Sequence, residues 1–374
     1  MALLCFLCAD HGPEKAGPYQ GLVQKAEDWL IRRVGARGTL RKLNRRRPVW
    51  QYAYEHAICT LALSECLARR KTPALEKAVG RAVKFILNSQ TKLGWRYGYG
   101  RSDSDTSVTS WMLLALKSAE HAGVSVPAES YERVRRWLDE VSNDDGTTHY
   151  MPRSRITPAM NASGLFMRVM LGEKPNALRN RRGAQRVGRS QLVIKQGGIQ
   201  NLYHIYYAAL AMYQVGGDLW REFNPRIRDG LVATSRKGSG CERGSWKGIG
   251  FIREPVLSTA FATLTLETYY RYLPVHDGIE HDAPGAVTKA AELSEGERLL
   301  GNAEVALDYA RKEGASAGEV LAAEAAYTRA LAALRQESAK WALQEEALVR
   351  LVELASLGRD RARVLAAVEA YLAA

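Results

Sequence analysis

Cysteine is scarce in this chain and odd in number, five among 374 residues. Disulfide-held scaffolds are short and cysteine-dense, so that class is excluded. Cys5 and Cys8 form a CxxC, but it sits inside an apolar run with no second ligand pair at zinc spacing, so buried small residues are expected there rather than a metal site. Long apolar runs are also lacking. None reaches the roughly 18–20 residues that cross a bilayer, so no membrane span is expected. The opening MALLCFLCAD has the apolar centre of a signal peptide without its basic start or small-residue cleavage site, and a cytoplasmic protein is expected.

Charge is distributed unevenly. Residues 1–274 carry 42 Lys and Arg against 23 Asp and Glu, whereas residues 275–374 carry 11 against 17. That contrast implies two differently built parts. Within the first part the chain repeats itself: LLCFLCADH (3–11) aligns without gaps on LLALKSAEH (113–121), and further apolar helices fall at 54–68, 106–120, 157–172, 203–217 and 257–272. Equivalent positions Phe6, Leu63, Leu116, Met167, Met212 and Leu266 are 57, 53, 51, 45 and 54 residues apart, a period that suits a helical hairpin.

Between these lie amphipathic segments at 21–34, 75–90, 131–141, 184–195 and 223–237. Their apolar residues recur every three or four positions with Lys and Arg between, the pattern of a helix with one wet face. The first series is apolar or small on nearly every side and must be covered all round. An inner ring of apolar helices wrapped by an outer ring of amphipathic ones buries both kinds. The expectation is therefore all-α, with six inner and five outer helices over 1–274 and an incomplete first repeat. Residues 275–291 read as a linker. From Val320, a heptad seam interrupted by Ser338 and Glu345 predicts a helical, coiled-coil-like appendage over 292–374, available for self-association or a protein partner.

AVKFILNSQTKLGWRY (82–97) is similar to the QW repeat of squalene and oxidosqualene cyclases, and VATSRKGSGCERGSW (232–246) keeps its Gly-Ser-Trp end with Ser235 near the glutamine position. Together with YEHAICTLALSE, YYAALAMYQVGGDLW and TLTLETYYRYLP, residues 1–274 resemble the α/α toroids of the terpenoid cyclase and protein prenyltransferase superfamily, above all its bacterial prenyltransferase and squalene oxidase repeat proteins. The resemblance implies a central cavity that takes a small apolar ligand or a peptide. It does not extend to the last hundred residues.

The stretch GWRYGYGRSDSDTSVTSW (94–111) occupies the joint where that superfamily builds its catalytic sites. Cyclases place an Asp-x-Asp-Asp acid there. In that register Asp105 is the last aspartate, Ser104 takes the proton-donor position and Ser102 the first. Prenyltransferases hold zinc with an Asp, a Cys two residues on and a distant His; here Asp105 is followed by Ser107, with His204 the histidine on offer. Both signatures are substituted. A binding scaffold without cofactor or metal is the leading expectation, and a divergent cyclase or lyase using Asp103, Asp105 or His56 is the alternative.

Each candidate also has a structural reading. Asp105 before Thr-Ser-Val is a helix N-cap worth about 1 kcal/mol, and Asp103 is a solvated neighbour of Arg101. Glu55 and His56 form either a cavity-facing pair or one packed histidine. Trp111, Tyr203, His204, Tyr206 and Tyr207 are cavity lining or core. The basic runs 32–48, with Arg45, Arg46 and Arg47, and 179–189 raise nucleic acid or another polyanion as a partner, against the reading of a solvated surface.

Overall fold

In the computed structural model the described residues are 1–40, 51–98, 102–237 and 239–268, with Ala325 and Thr328. The chain divides into two units, Met1–Ala286 and Val287–Ala374, the division falling within the stretch read as a linker. The appendage apart from Ala325 and Thr328, its heptad seam and Arg45 to Arg47 lie outside the described residues. No helix among the described residues is long and apolar enough to cross a membrane.

Among its described residues the first unit is helical apart from one small hairpin. The apolar series forms α1 (Ala2–Cys8), α3 (Gln51–Arg69), α5 (Thr106–His121), α7 (Pro158–Met170), α9 (Leu202–Val215) and α11 (Pro255–Leu266). The amphipathic series forms α2 (Gln20–Arg33), α4 (Pro73–Asn88), α6 (Ala128–Val141), α8 (Leu178–Gly188) and α10 (Gly217–Thr234). Burial separates the two as their patterns predict. In α7 every residue from Met160 to Met170 is buried, whereas α6 buries Tyr131, Val134, Trp137, Leu138 and Val141 and leaves its arginines outside. Thr72, Asp105 and Thr157 cap α4, α5 and α7 through side-chain oxygens, and Pro73 and Pro158 follow two of those caps, where a missing N–H is harmless.

Packing follows the repeat. Each apolar helix lies against its two neighbours in the series, α1 on α3, α3 on α5, α5 on α7, α7 on α9 and α9 on α11. The succession then returns, since α11 packs on α1. Each amphipathic helix lies against the apolar helices before and after it, as α4 does on α3 and α5.

The bounds of α8 and α10 differ most from those expected, and α8 begins at Leu178 rather than at 184. α8 stops at Gly188 rather than at 195, because 194–199 turns back as a hairpin, β1 (Ile194–Lys195) with β2 (Gly198–Ile199), whose turn residues Gln196 and Gly197 both have positive φ. α10 begins at Gly217 rather than 223 and runs through Pro225, although a proline there removes one helical hydrogen bond. Trp220 and Phe223, both buried, draw that first stretch onto the core.

Two kinds of turn join outer helix to inner helix. After α4 and α10 a tryptophan turns back and its indole N–H donates to the helix just ended, Trp95 to the Ile86 carbonyl (2.8 Å) and Trp246 to that of Leu231 (2.7 Å). The backbone N–H of each donates to a threonine one turn into the following helix, Thr109 and Thr259. After α2 and α6 the turn instead contains a left-handed glycine, Gly38 or Gly146, pressed on the next outer helix. A Cβ on Gly146 would meet the Gly183 nitrogen of α8 at 2.4 Å, so only glycine allows this approach.

Candidate functional site at the start of α5

The first turn of α5 is held from three sides. Asp105 N–H donates to the Trp95 carbonyl (2.9 Å), Thr106 N–H to the Tyr150 carbonyl (3.0 Å) and the Thr106 hydroxyl to the His149 carbonyl (2.7 Å). Asp105 Oδ1 accepts the Val108 N–H at 2.8 Å, the expected cap. Its Oδ2 is buried and has no hydrogen-bond partner. Burial dominates the carboxyl and raises it to about 7, against the pull of the Val108 N–H and the Arg96 guanidinium. The Ser107 N–H and the Tyr150 hydroxyl pull more weakly, lying near it without making a well-formed hydrogen bond to Oδ2.

Phenols surround this carboxyl. Tyr54 of α3 and Tyr203 of α9 both place their hydroxyls 2.7 Å from Ser107 Oγ, so one serine bridges three inner helices. Tyr150 donates to Tyr97, and the ring of Tyr97 lies 5.7 Å from that of Tyr54. The Arg96 guanidinium covers the rings of Tyr97 and Tyr150, at 5.5 and 5.8 Å. Burial, helped by the nearby Asp105 charge, raises Tyr54, Tyr150 and Tyr203 far above the ordinary phenol range. They remain hydrogen-bond donors at every physiological pH. The cluster can thus take up or release one proton near neutrality at Asp105 while its phenols stay protonated.

The two serines at the catalytic registers are engaged elsewhere. Ser104 Oγ accepts the Gly94 N–H (3.0 Å) and lies 2.7 Å from Thr91 Oγ1, which fixes the turn. Asp103 is half-buried and pairs with Arg96 at 3.4 Å, so it is not the free, solvated carboxylate expected beside Arg101, which lies outside the described residues. Arg96 thus faces both aspartates.

His56 does not join them. Its Nε2 lies 3.2 Å from the Ala82 carbonyl of α4 and its ring against Phe85, with burial lowering it to about 4. Glu55 is half-buried and its charge acts on Cys59, one turn on. Of the two readings given for His56, the packed histidine is the one its burial and its contact with Ala82 fit. His204 Nε2 meets Ser190 Oγ at 2.8 Å, and burial lowers it to about 4. It is directed to the α8 end, not to Asp105 and Ser107, and among the described residues no three His, Cys, Asp or Glu are placed to hold a metal.

Trp111, Tyr206 and Tyr207 pack on one another. Trp111 stacks on Tyr206 (5.6 Å between centroids, 13° between planes) and meets Tyr207 edge-on, while Phe166 and Phe261 close the cluster from α7 and α11. Tyr206 and Tyr207 have no accessible surface, so no water-sized space adjoins them. At Trp111, Tyr206 and Tyr207, expected as cavity lining or core, the rings pack as core. Half-buried phenols, Tyr54, Tyr97, Tyr150 and Tyr203, mark where the interior meets its surroundings.

Tyr54, Arg96, Tyr97 and Tyr150 were not singled out from the sequence. The signal was the repeat itself: Tyr97 and Tyr150 stand 53 residues apart, as do Tyr54 and Ser107, so that period carries polar groups to one end of neighbouring helices. No family model, no curated protein and no solved structure matches this chain.

Proposed function

We propose that residues 1–274 form an α/α toroid of the terpenoid cyclase and prenyltransferase kind that serves as a binding scaffold, taking a small apolar ligand or a peptide at the phenol-ringed end of α5. The closed succession of apolar helices and the repeated tryptophan turns support the architecture. One observation carries the function: both serines at the catalytic registers are committed to the scaffold, Ser104 to the Gly94 turn and Ser107 to Tyr54 and Tyr203. A serine hydroxyl supplies neither a strong acid nor a thiolate-type zinc ligand. Phenol faces offer apolar walls and their hydroxyls a polar edge, which is how recognition sites are built.

The experiment is turnover of squalene and of farnesyl diphosphate by the full chain. The scaffold reading expects no product from either. Product that disappears in Asp105→Asn, at unchanged melting temperature, overturns it in favour of the second reading, proton transfer by Asp105. That alternative rests on a buried carboxyl that titrates near 7 with one oxygen unpartnered.

A further inference from the structure

A second feature lies away from α5. Between α8 and the turn after α6 there is an open groove of about 240 Å³, lined by Asp145, Arg182, Gln185, Arg186 and Arg189. The three arginines stand at i, i+4 and i+7, which places them along one face of α8.

Their charges are little used by the protein. The Arg189 side chain makes no hydrogen bond or ion pair among the described residues, its backbone N–H alone donating to the Arg186 carbonyl (3.3 Å), and the Arg182 side chain reaches only a neutral acceptor, the Asp144 carbonyl at 3.3 Å. Arg186 pairs with Asp145 Oδ2 at 3.2 Å, both half-exposed. The other oxygen of Asp145 is held by the Thr147 N–H and hydroxyl, at 2.9 and 2.6 Å. One carboxylate thus stands against three guanidinium groups.

The wall behind the groove is rigid and also positive. Arg168 of α7 is fully buried, and its four bonds all go to neutral acceptors: Asn180 Oδ1 (2.7 Å), Ser142 Oγ (2.9 Å), Thr148 Oγ1 (3.2 Å) and the Gly146 carbonyl (3.3 Å). Burial lowers it only to about 10, so it keeps its charge. It pins the turn that carries Asp145, and Gly146 against Gly183 fixes that turn on α8. Arg179 is compensated by Glu173 and Asp139; with Asp144, exposed nearby, counted beside Asp145, the three groove arginines still outnumber the carboxylates.

A larger groove of about 730 Å³ near the α4 turn makes the contrast. Its Arg133 and Arg136 both pair with Glu129, and its third basic residue, Lys92, stands apart from them on the α4 turn, so its cations are partly answered and spread over a larger space. We infer that the α8 groove is a phosphate-binding site, with Arg182, Arg186 and Arg189 as its donors. Guanidinium forks match phosphate oxygens, and the groove has room for one such group. No aromatic side chain lines it, so recognition is by charge rather than by stacking on bases.

The test uses the full chain and two probes, inorganic tripolyphosphate by calorimetry and a fluorescent 20-base-pair DNA duplex by anisotropy, at several salt concentrations. The variants are Arg182→Gln/Arg186→Gln/Arg189→Gln and, as control, Arg133→Gln/Arg136→Gln. The first is expected to weaken binding at least tenfold and to reduce the salt slope on duplex by about two to three. The control is expected to bind as wild type does, and melting temperatures confirm folding. Binding of tripolyphosphate alone assigns a free phosphate compound, and binding of duplex assigns a polymer backbone. The inference falls if neither probe binds at 50 mM salt, or if the triple variant binds either probe as well as wild type.

Discussion

The hydroxyl of Ser107 lies 2.7 Å from that of Tyr203, joining two helices whose contact residues are 96 positions apart in the chain. The same oxygen is 2.7 Å from the hydroxyl of Tyr54. Removing it leaves two largely buried phenols short of a partner. Ser107→Ala is expected to destabilise the protein by about 1–3 kcal/mol, the range for stranding buried polar groups. Urea denaturation measures this, and a change below about 0.5 kcal/mol contradicts the bridging role.

Asp105 gives a pH dependence of unusual sign. Its carboxyl is raised on folding from 3.8 to about 7, so the folded chain keeps a proton that the unfolded chain releases. Its contribution to stability declines as pH climbs from about 4 to 7 and stays low above that. His56 and His204, each lowered from 6.5 to about 4, act the opposite way and add stability as pH rises between 4 and 6.5. Asp105→Asn removes only the first effect and keeps a capping oxygen. The variant is expected to gain stability more steeply than wild type between pH 4 and 6.5, by about 1.4 kcal/mol per pH unit. At pH 8 it should equal or exceed wild type. An Asn variant clearly weaker than wild type at pH 8 would show that the ionised carboxylate has a partner.

The two tryptophan turns are separate copies of one device. Trp95→Phe and Trp246→Phe each remove an indole donor from a helix-end carbonyl and leave most of the ring packing. Each is expected to cost about 1–2 kcal/mol, and the double variant the sum, because the sites share no partner. A non-additive result from denaturation would reveal coupling through the helices between the two sites.

Arg168 is the reverse of a surface arginine. Arg168→Ala strands four acceptors around a cavity and is expected to destabilise by about 3 kcal/mol or more. Hydrogen exchange should quicken at the amides of 143–148 before it does so in α3 or α5. Uniform quickening throughout would mean that the arginine does not act on that turn.

The helices were legible because burial on all sides and burial on one side leave different periodicities, as α7 and α6 show. The cap at Asp105 was legible because it depends on three consecutive residues. Its shell was legible only at Tyr203: Tyr54, Tyr97 and Tyr150 join it through packing between elements, and nothing local distinguishes them from other half-buried tyrosines. The start of α10 was hidden for a similar reason. Gly216 and Gly217, both with positive φ, turn the chain so tightly that the helix begins where a loop is expected. His56 was legible as a packed histidine but its partners were not, since Ala82 and Phe85 belong to the following helix.

The packing of α1 on α11 sets how the first unit assembles. Every other contact along the apolar series joins helices about one repeat apart, whereas this one brings together residues such as Cys5 and Ala260, separated by 255 positions. Local pairs form with little loop entropy, but the seam closes the longest loop in the unit. Of the contacts along the apolar series it is therefore the one with the largest loop-closure cost. A circular permutant that joins α11 to α1 through a short linker would make this contact local and remove that cost.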